Sequence, residues 1–172
     1  QPIERSTYVL ASNAALVLLV WAWRPLDTVV WNVTDPTARA AIWSLFALGW
    51  VGVPAVSLLI NHFDLFGLRQ VWLHWQGREY EPLPFRTPLL YRRVRHPLYV
   101  AWGLAFWSTP TMTVGHLLLA GGLTAYMIIA AAVWEERDLI AHFGERYLAY
   151  RREVPMFVPR LRRKPAANPI ES

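Results

Sequence analysis

The sequence predicts an all-α fold: a polytopic integral-membrane helical bundle with a helical hairpin over about 97–134 and an amphipathic helix near its C-terminal end. Three observations predict it. The apolar residues come in long uncharged blocks, with the charges gathered between them. The 17 Lys and Arg fall unevenly on the segments between those blocks. Ten Trp and seven Tyr suit the aromatic belts found where helices leave a bilayer.

Thr7–Trp23 and Ala40–Ile60 carry no charge. A spanning helix needs about 20 apolar residues, so both qualify. Leu98–Trp134 is one uncharged stretch of 37 residues, too long for one span and short for two. Proline breaks helices, and Pro110 lies near the first third of the stretch. The prediction is a hairpin with a short arm near 97–108, a turn near 109–114 and a longer arm from about 115, with His116 just after the turn. Beyond it, EERDLIAHFGERYLAYRREVP places Leu139, Ile140, Phe143, Tyr147, Leu148 and Tyr150 at helical spacing among charges. That is an amphipathic helix leaving the membrane, with a break at Gly144. Residues 1–160 form one transmembrane domain and 161–172 a polar tail. The chain opens on Gln1, and further spans are expected upstream of it.

Charge orients this arrangement. Six of the 17 Lys and Arg lie in 61–96, eight in 135–172, and the others are Arg5, Arg24 and Arg39. An even number of crossings separates the two richer segments, so both are expected on the cytoplasmic side by the positive-inside rule. The 24–39 loop then faces out. Topology accounts for the net charge of +5, and no nucleic-acid partner is expected. The absence of cysteine excludes disulfides, zinc-thiolate sites and a cysteine nucleophile. None of the five histidines shows a metal-ligand spacing, so no catalytic metal is expected.

Two short motifs can carry chemistry. In YRRVRHPLY, Pro97 suits the first position of a helix, where its missing N–H costs nothing. His96 then stands at the helix N-terminus, beside free N–H groups and the positive dipole end, a place for a carboxylate. Arg95 adds charge, and Tyr99 offers a hydroxyl and a ring. The same residues would also serve as a positive-inside anchor with an interfacial tyrosine. Glu135 and Glu136 end the 37-residue uncharged run. Acidic residues near membrane depth usually face a cavity or a partner, although a plain helix exit into water would also accept one. A basic helix start and an acidic helix end on one membrane face make a pocket of both signs, suited to a zwitterionic, ribose-bearing ligand.

RHPxY, a helical hairpin, the Glu pair and FGERYLAYRREVP, in that order over roughly 70–160, resemble the isoprenylcysteine carboxyl methyltransferase and phospholipid methyltransferase superfamily. INHFDLFGLRQVW (60–72) and PLPFRTPLLYRRVRHPLY (82–99) look like its bacterial methanethiol S-methyltransferase branch. The resemblance implies an S-adenosylmethionine-dependent integral-membrane enzyme that methylates methanethiol, or a similar small thiol, to dimethyl sulfide at the cytoplasmic face. It implies a cofactor site built from His96, Pro97 and Tyr99, with Arg95, Tyr91, Pro84, Phe85, Arg86, Gln76 and Glu135. The family's usual Gly is Leu89 here, so an altered turn is expected. The Arg that engages a substrate carboxylate in the isoprenylcysteine enzymes is Ala131, which favours a small uncharged thiol.

Methyl transfer from a sulfonium to sulfur is an in-line displacement in which the protein aligns the nucleophile. The thiolate is the reactive form. Candidate proton acceptors are His62, Asp64, His96 and Glu136. His62 and Asp64 could equally be a helix cap and a turn residue. His74 and His142 read as surface residues. Trp72, Trp75, Trp102 and Trp107 could wall an apolar pocket or anchor the interface. Two other readings stay open: a methyltransferase acting on a lipid amine or an isoprenylcysteine carboxylate, and a non-catalytic membrane scaffold or transport protein. The expected partners are a small thiol and membrane lipids.

Overall fold

A computed structural model describes residues 4–59, 67–79 and 85–160 of the chain. They are mostly helical. Helix α1 covers Glu4–Ala22, strand β1 Val29–Asn32 and helix α2 Pro36–Leu59. A short helix, α3, covers Leu68–Trp75, and a 3₁₀ turn covers Leu89–Arg92. Helix α4 (Pro97–Trp107), strand β2 (Thr111–Thr113) and helix α5 (Val114–Ile129) follow. The long helix then widens into a π segment, Ala130–Glu135, and continues as α6 (Glu136–Phe143). Helix α7 is Glu145–Glu153.

Local signals set these boundaries. The Asp35 carboxylate accepts from Ala38 N–H at 2.7 Å, and Pro36 opens α2, a capped start with proline where it costs no bond. Pro97 opens α4 in the same way, with His96 at the cap position. The Thr113 hydroxyl caps α5 by accepting from His116 N–H at 3.3 Å. Gly144, at φ 56° and ψ −132°, separates α6 from α7; glycine takes that backbone readily.

The hairpin therefore forms where the sequence places it, with α4 as its short arm. At 11 residues α4 is roughly 16 Å long. Two helical stretches, Pro36–Leu59 and Val114–Phe143, are long and apolar enough to cross a bilayer. Thr7–Trp23 does not reach that length: the apolar part of α1 ends at Ala22. The strand pair is an addition to the all-α expectation. β1 and β2 are antiparallel, with Trp31 opposite Met112 and Asn32 opposite Thr111, so the 24–39 loop and the hairpin turn meet at one end of the bundle. Met112 is fully buried there, and the His116 ring binds the Phe106 carbonyl at 2.8 Å, tying the two arms together. Helix α3 forms within the 61–96 segment.

Small residues bring α2 against α4. A Cβ on Gly49 would lie 2.5 Å from the Ala105 backbone nitrogen, and one on Gly52 would lie 3.1 Å from the Ala101 Cβ. Ala101 and Ala105, four residues apart on one face of α4, are both buried. Small residues at this spacing let helix backbones approach closely.

Candidate active site

The site gathers at the opposite end of the bundle from the strand pair. It forms where α4 begins, where the π segment ends and where α7 returns. A π turn holds one more residue than an α turn, so it re-aims the side chains that follow. Glu135 and Glu136 are adjacent in sequence and do different things.

Glu135 faces Tyr99 and His96. The Tyr99 hydroxyl donates to Glu135 Oε1, and His96 Nδ1 lies 3.3 Å from Glu135 Oε2. The His96 and Tyr99 rings stack within 6° of parallel, with centroids 5.7 Å apart. Glu135 keeps 44% of its side chain exposed, while His96 keeps 6%. The carboxylate is thus fixed by two neighbours and remains open to a ligand.

Glu136 is buried among cations. Arg95 Nε and one terminal nitrogen each reach Glu136 Oε1 at 2.7 Å, and Arg151 Nε reaches Oε2 at 3.1 Å. The second terminal nitrogen of Arg95 donates to the carbonyls of Arg151 and Val154 at the end of α7. A guanidinium has five N–H donors, and this arrangement occupies all but one of those on Arg95. Backbone bonds complete the clasp: Arg95 N–H to the Pro155 carbonyl at 2.9 Å and His96 N–H to the Met156 carbonyl at 3.1 Å. The Phe157 ring lies 5.8 Å from that of His96.

An aromatic cluster closes the adjacent wall. The Phe85 ring sits 5.0 Å from Phe143, 5.4 Å from Tyr150 and 6.0 Å from Tyr147. The Tyr150 hydroxyl donates to the Tyr91 carbonyl. Burial, and then the charge of Glu135, pushes the Tyr91 phenol up to about 12. Burial, and then Glu136, does the same for Tyr147. Tyr150 is raised as well, chiefly by burial.

Of the residues singled out from sequence, the structure brings together Tyr91, Arg95, His96, Pro97, Tyr99, Glu135 and Glu136, with Phe85 alongside. Arg86 is exposed, and so is Gln76, which lies beyond the end of α3. His62, Asp64 and Pro84 lie outside the described residues. At Leu89, where an altered turn is expected, the backbone is left-handed. Leu89 has φ 36°, the one positive φ at a non-glycine position among the described residues, so leucine stands in a conformation that glycine adopts freely. Ala131 is completely buried. Arg151, Tyr147, Tyr150 and the 154–157 strap enter the site without having been singled out for it. Among the described residues no group of three His, Asp or Glu side chains is placed to hold a metal ion.

The chain is 52% identical over 164 residues to a methanethiol S-methyltransferase from Crocosphaera subtropica, covering 95% of this chain and 64% of that protein. It is 53% identical over 157 residues to a methanethiol S-methyltransferase from Mycobacterium tuberculosis, covering 91% of this chain and 64% of that protein. A more distant relative is the Nurim homolog of Drosophila pseudoobscura, 33% identical over 143 residues, covering 78% of this chain and 54% of that protein. The chain thus spans a little under two thirds of the length of these methyltransferases. No protein-family profile and no solved structure matches the chain.

Proposed function

We propose that this chain, a homologue of the methanethiol S-methyltransferases over nearly all of its length, transfers a methyl group from S-adenosylmethionine to methanethiol and releases dimethyl sulfide. The observation that carries the reading is the half-open Glu135 carboxylate held between Tyr99 and the buried His96 at the start of α4. The residues fit the cofactor's chemistry. His96 Nε2 is buried without a hydrogen bond, 3.5 Å from Glu136 Oε1, and the first N–H groups of a helix lack partners of their own. Those N–H groups suit a carboxylate. Glu135 suits a ribose diol or an ammonium group. The bound cofactor supplies an activated methyl on a sulfonium.

The protein's part is to bind, orient and exclude water. His96 and the α4 N-terminus would hold the cofactor's carboxylate end. Glu135 and Tyr99 would hold a polar group beside it, and Phe85 with Tyr91 would wall the apolar side. Pro84, Arg86 and Gln76 are proposed at the rim. Glu136 is assigned to positioning: both of its oxygens face arginines, and it ties α7 and the strap over the site. Accepting the thiol proton is assigned to the His62–Asp64 segment, which directly follows α2. A buried Ala131 favours a small uncharged acceptor over a carboxylate.

The same reading places the protein in a membrane with this site on the cytoplasmic side. Large apolar side chains such as Leu18, Val20, Trp21, Leu48, Val51, Leu118 and Ile128 lie exposed on the helices, and a lipid phase would cover them. Titration calorimetry of purified protein with S-adenosylmethionine tests the site. Binding by the wild type, with loss in both Glu135→Ala and His96→Ala, is expected. Retained affinity in both variants would overturn the assignment.

A further inference from the structure

A cavity of about 300 Å³ opens at the end of the bundle away from Glu135, where the segment after α1 lies against the start of α5. Trp23, Leu26, Asp27, Thr113, Gly115 and His116 stand in its walls. It is at the small end of the range for ligand pockets. Backbone bonds hold the walls together: Val114 N–H donates to the Thr28 carbonyl at 2.9 Å, and Gly115 N–H to the Leu26 carbonyl at 3.1 Å. The β1–β2 pair continues that attachment. The first N–H groups of a helix make an anion site when they are free, and here they are taken. Those of Val114 and Gly115 go to the loop, and that of His116 goes to the Thr113 hydroxyl. Apart from the Thr113 O–H, the polar side chains that remain accept. The Asp27 carboxylate has no ion pair or hydrogen bond among the described residues. His116 Nε2 meets the Phe106 carbonyl at 2.8 Å. A carbonyl only accepts, so Nε2 carries the hydrogen and the neutral ring keeps its lone pair on Nδ1. Trp23 adds an indole, whose face is electron-rich. Among the described residues no Lys or Arg lines the cavity.

We propose that this cavity is a binding site for a primary ammonium group, with Asp27 as its counter-charge and Trp23 as the ring beside it. An ammonium brings three donors and no acceptor, which matches walls that have acceptors to offer. A cation within reach of an indole face is attracted by the ring's quadrupole. An anion would meet a carboxylate and helix N–H groups that are already occupied. A metal ion would want three or more ligating side chains, and no such group exists among the described residues. Val114 begins one of the two stretches long enough to cross a bilayer, and Trp23 directly follows α1. On the membrane reading the cavity therefore stands at headgroup level, where tryptophan is at home. Two sources share the chemistry there, the headgroup of an aminophospholipid and a free small amine. The inference does not depend on methyl transfer, and it adds no chemical step.

The test is native mass spectrometry of the whole chain in detergent, titrated with phosphatidylethanolamine, with phosphatidylglycerol of the same acyl chains, and with ethanolamine. Wild type is expected to prefer phosphatidylethanolamine over phosphatidylglycerol. Asp27 is exposed, so Asp27→Asn predicts a loss of phosphatidylethanolamine affinity of about three- to fivefold. Trp23→Leu predicts a loss of about three- to tenfold. Ethanolamine that binds and displaces the lipid shows that the ammonium alone suffices. Phosphatidylethanolamine binding without ethanolamine binding assigns the site to the lipid headgroup. Equal affinity of wild type for the two lipids, with no binding of ethanolamine, overturns the inference. Phosphatidylethanolamine and ethanolamine affinities unchanged in both variants also overturn it. S-adenosylmethionine affinity, measured on the same samples, is expected to stay the same in the variants, because Glu135 lies at the other end of the bundle. Its absence from wild type would bear on the methyl-transfer reading alone.

Discussion

The Tyr99 hydroxyl donates to Glu135 Oε1, joining the first turn of α4 to the last residue of the π segment. The bond aligns the stacked His96 ring with the carboxylate. A charge-assisted bond of this kind is worth about 1.5–3 kcal/mol. Tyr99→Phe is therefore expected to weaken S-adenosylmethionine binding about tenfold, with the fold intact. Titration calorimetry beside circular dichroism checks both halves of that statement.

Glu136 holds two arginines from different segments, Arg95 before α4 and Arg151 in α7. Removing one partner of a buried ion pair costs about 3–5 kcal/mol, because the remaining charge is left uncompensated. Arg151 is half exposed, which lowers its share. Glu136→Ala is expected to destabilise the protein by about 3 kcal/mol and to expose the 145–157 segment to protease. Arg151→Ala is expected to cost less than 1 kcal/mol. Thermal melts with limited proteolysis distinguish this positioning role from a role confined to chemistry.

Leu89 has a positive φ and an exposed side chain. A left-handed conformation costs a non-glycine residue about 1–2 kcal/mol, and little burial is lost on replacement. Leu89→Gly is expected to raise the melting temperature slightly, or to leave it unchanged, with normal cofactor affinity. A clear drop in melting temperature would show that the leucine side chain holds the turn.

The site was legible in the sequence where the cause is local. Pro97 marks a helix start, His96 falls at its cap, and Gly144 breaks the C-terminal helix, each for reasons contained in a few residues. Three features were illegible for physical reasons. The AAAVWE segment is apolar throughout and does not distinguish a π turn from an α turn. Thr111–Thr113 is too short to read as a strand without its partner near Trp31. The difference between Glu135 and Glu136 depends on Arg95 and Arg151, which only folding brings to one carboxylate. Leu89 shows a further limit: its positive φ is a backbone that glycine adopts freely, and the residue type does not announce it.

Tyr91 and Tyr147 are both pushed up to about 12 by burial and a nearby carboxylate, against an ordinary value near 10. A folded-state pKa above the unfolded one means that the neutral phenol favours the fold. That contribution is complete below pH 10 and is lost as pH rises from about 10 to about 12. Ultraviolet titration of phenolate is expected to show late-ionising tyrosines that disappear one at a time in Tyr91→Phe and Tyr147→Phe. Ionisation of all tyrosines near pH 10 in folded protein would contradict the buried placement.

The small residues between α2 and α4 carry a separate expectation. Gly49→Val would drive its side chain into the Ala105 backbone, and overpacking of this kind typically costs about 1–3 kcal/mol. Because α4 carries Pro97 and Tyr99 at its start, the strain is expected to lower cofactor affinity as well as stability. Calorimetric affinity beside a detergent melt reads both.

The central claim is methyl transfer to methanethiol at a site built on Glu135. Headspace gas chromatography over cells expressing the chain, fed methanethiol, with Glu135→Ala as control, tests it most directly. The account predicts dimethyl sulfide from the wild type and none above background from the variant. Equal dimethyl sulfide from both would contradict the site. None from a wild type that still binds S-adenosylmethionine would contradict the acceptor and direct the search to lipid substrates.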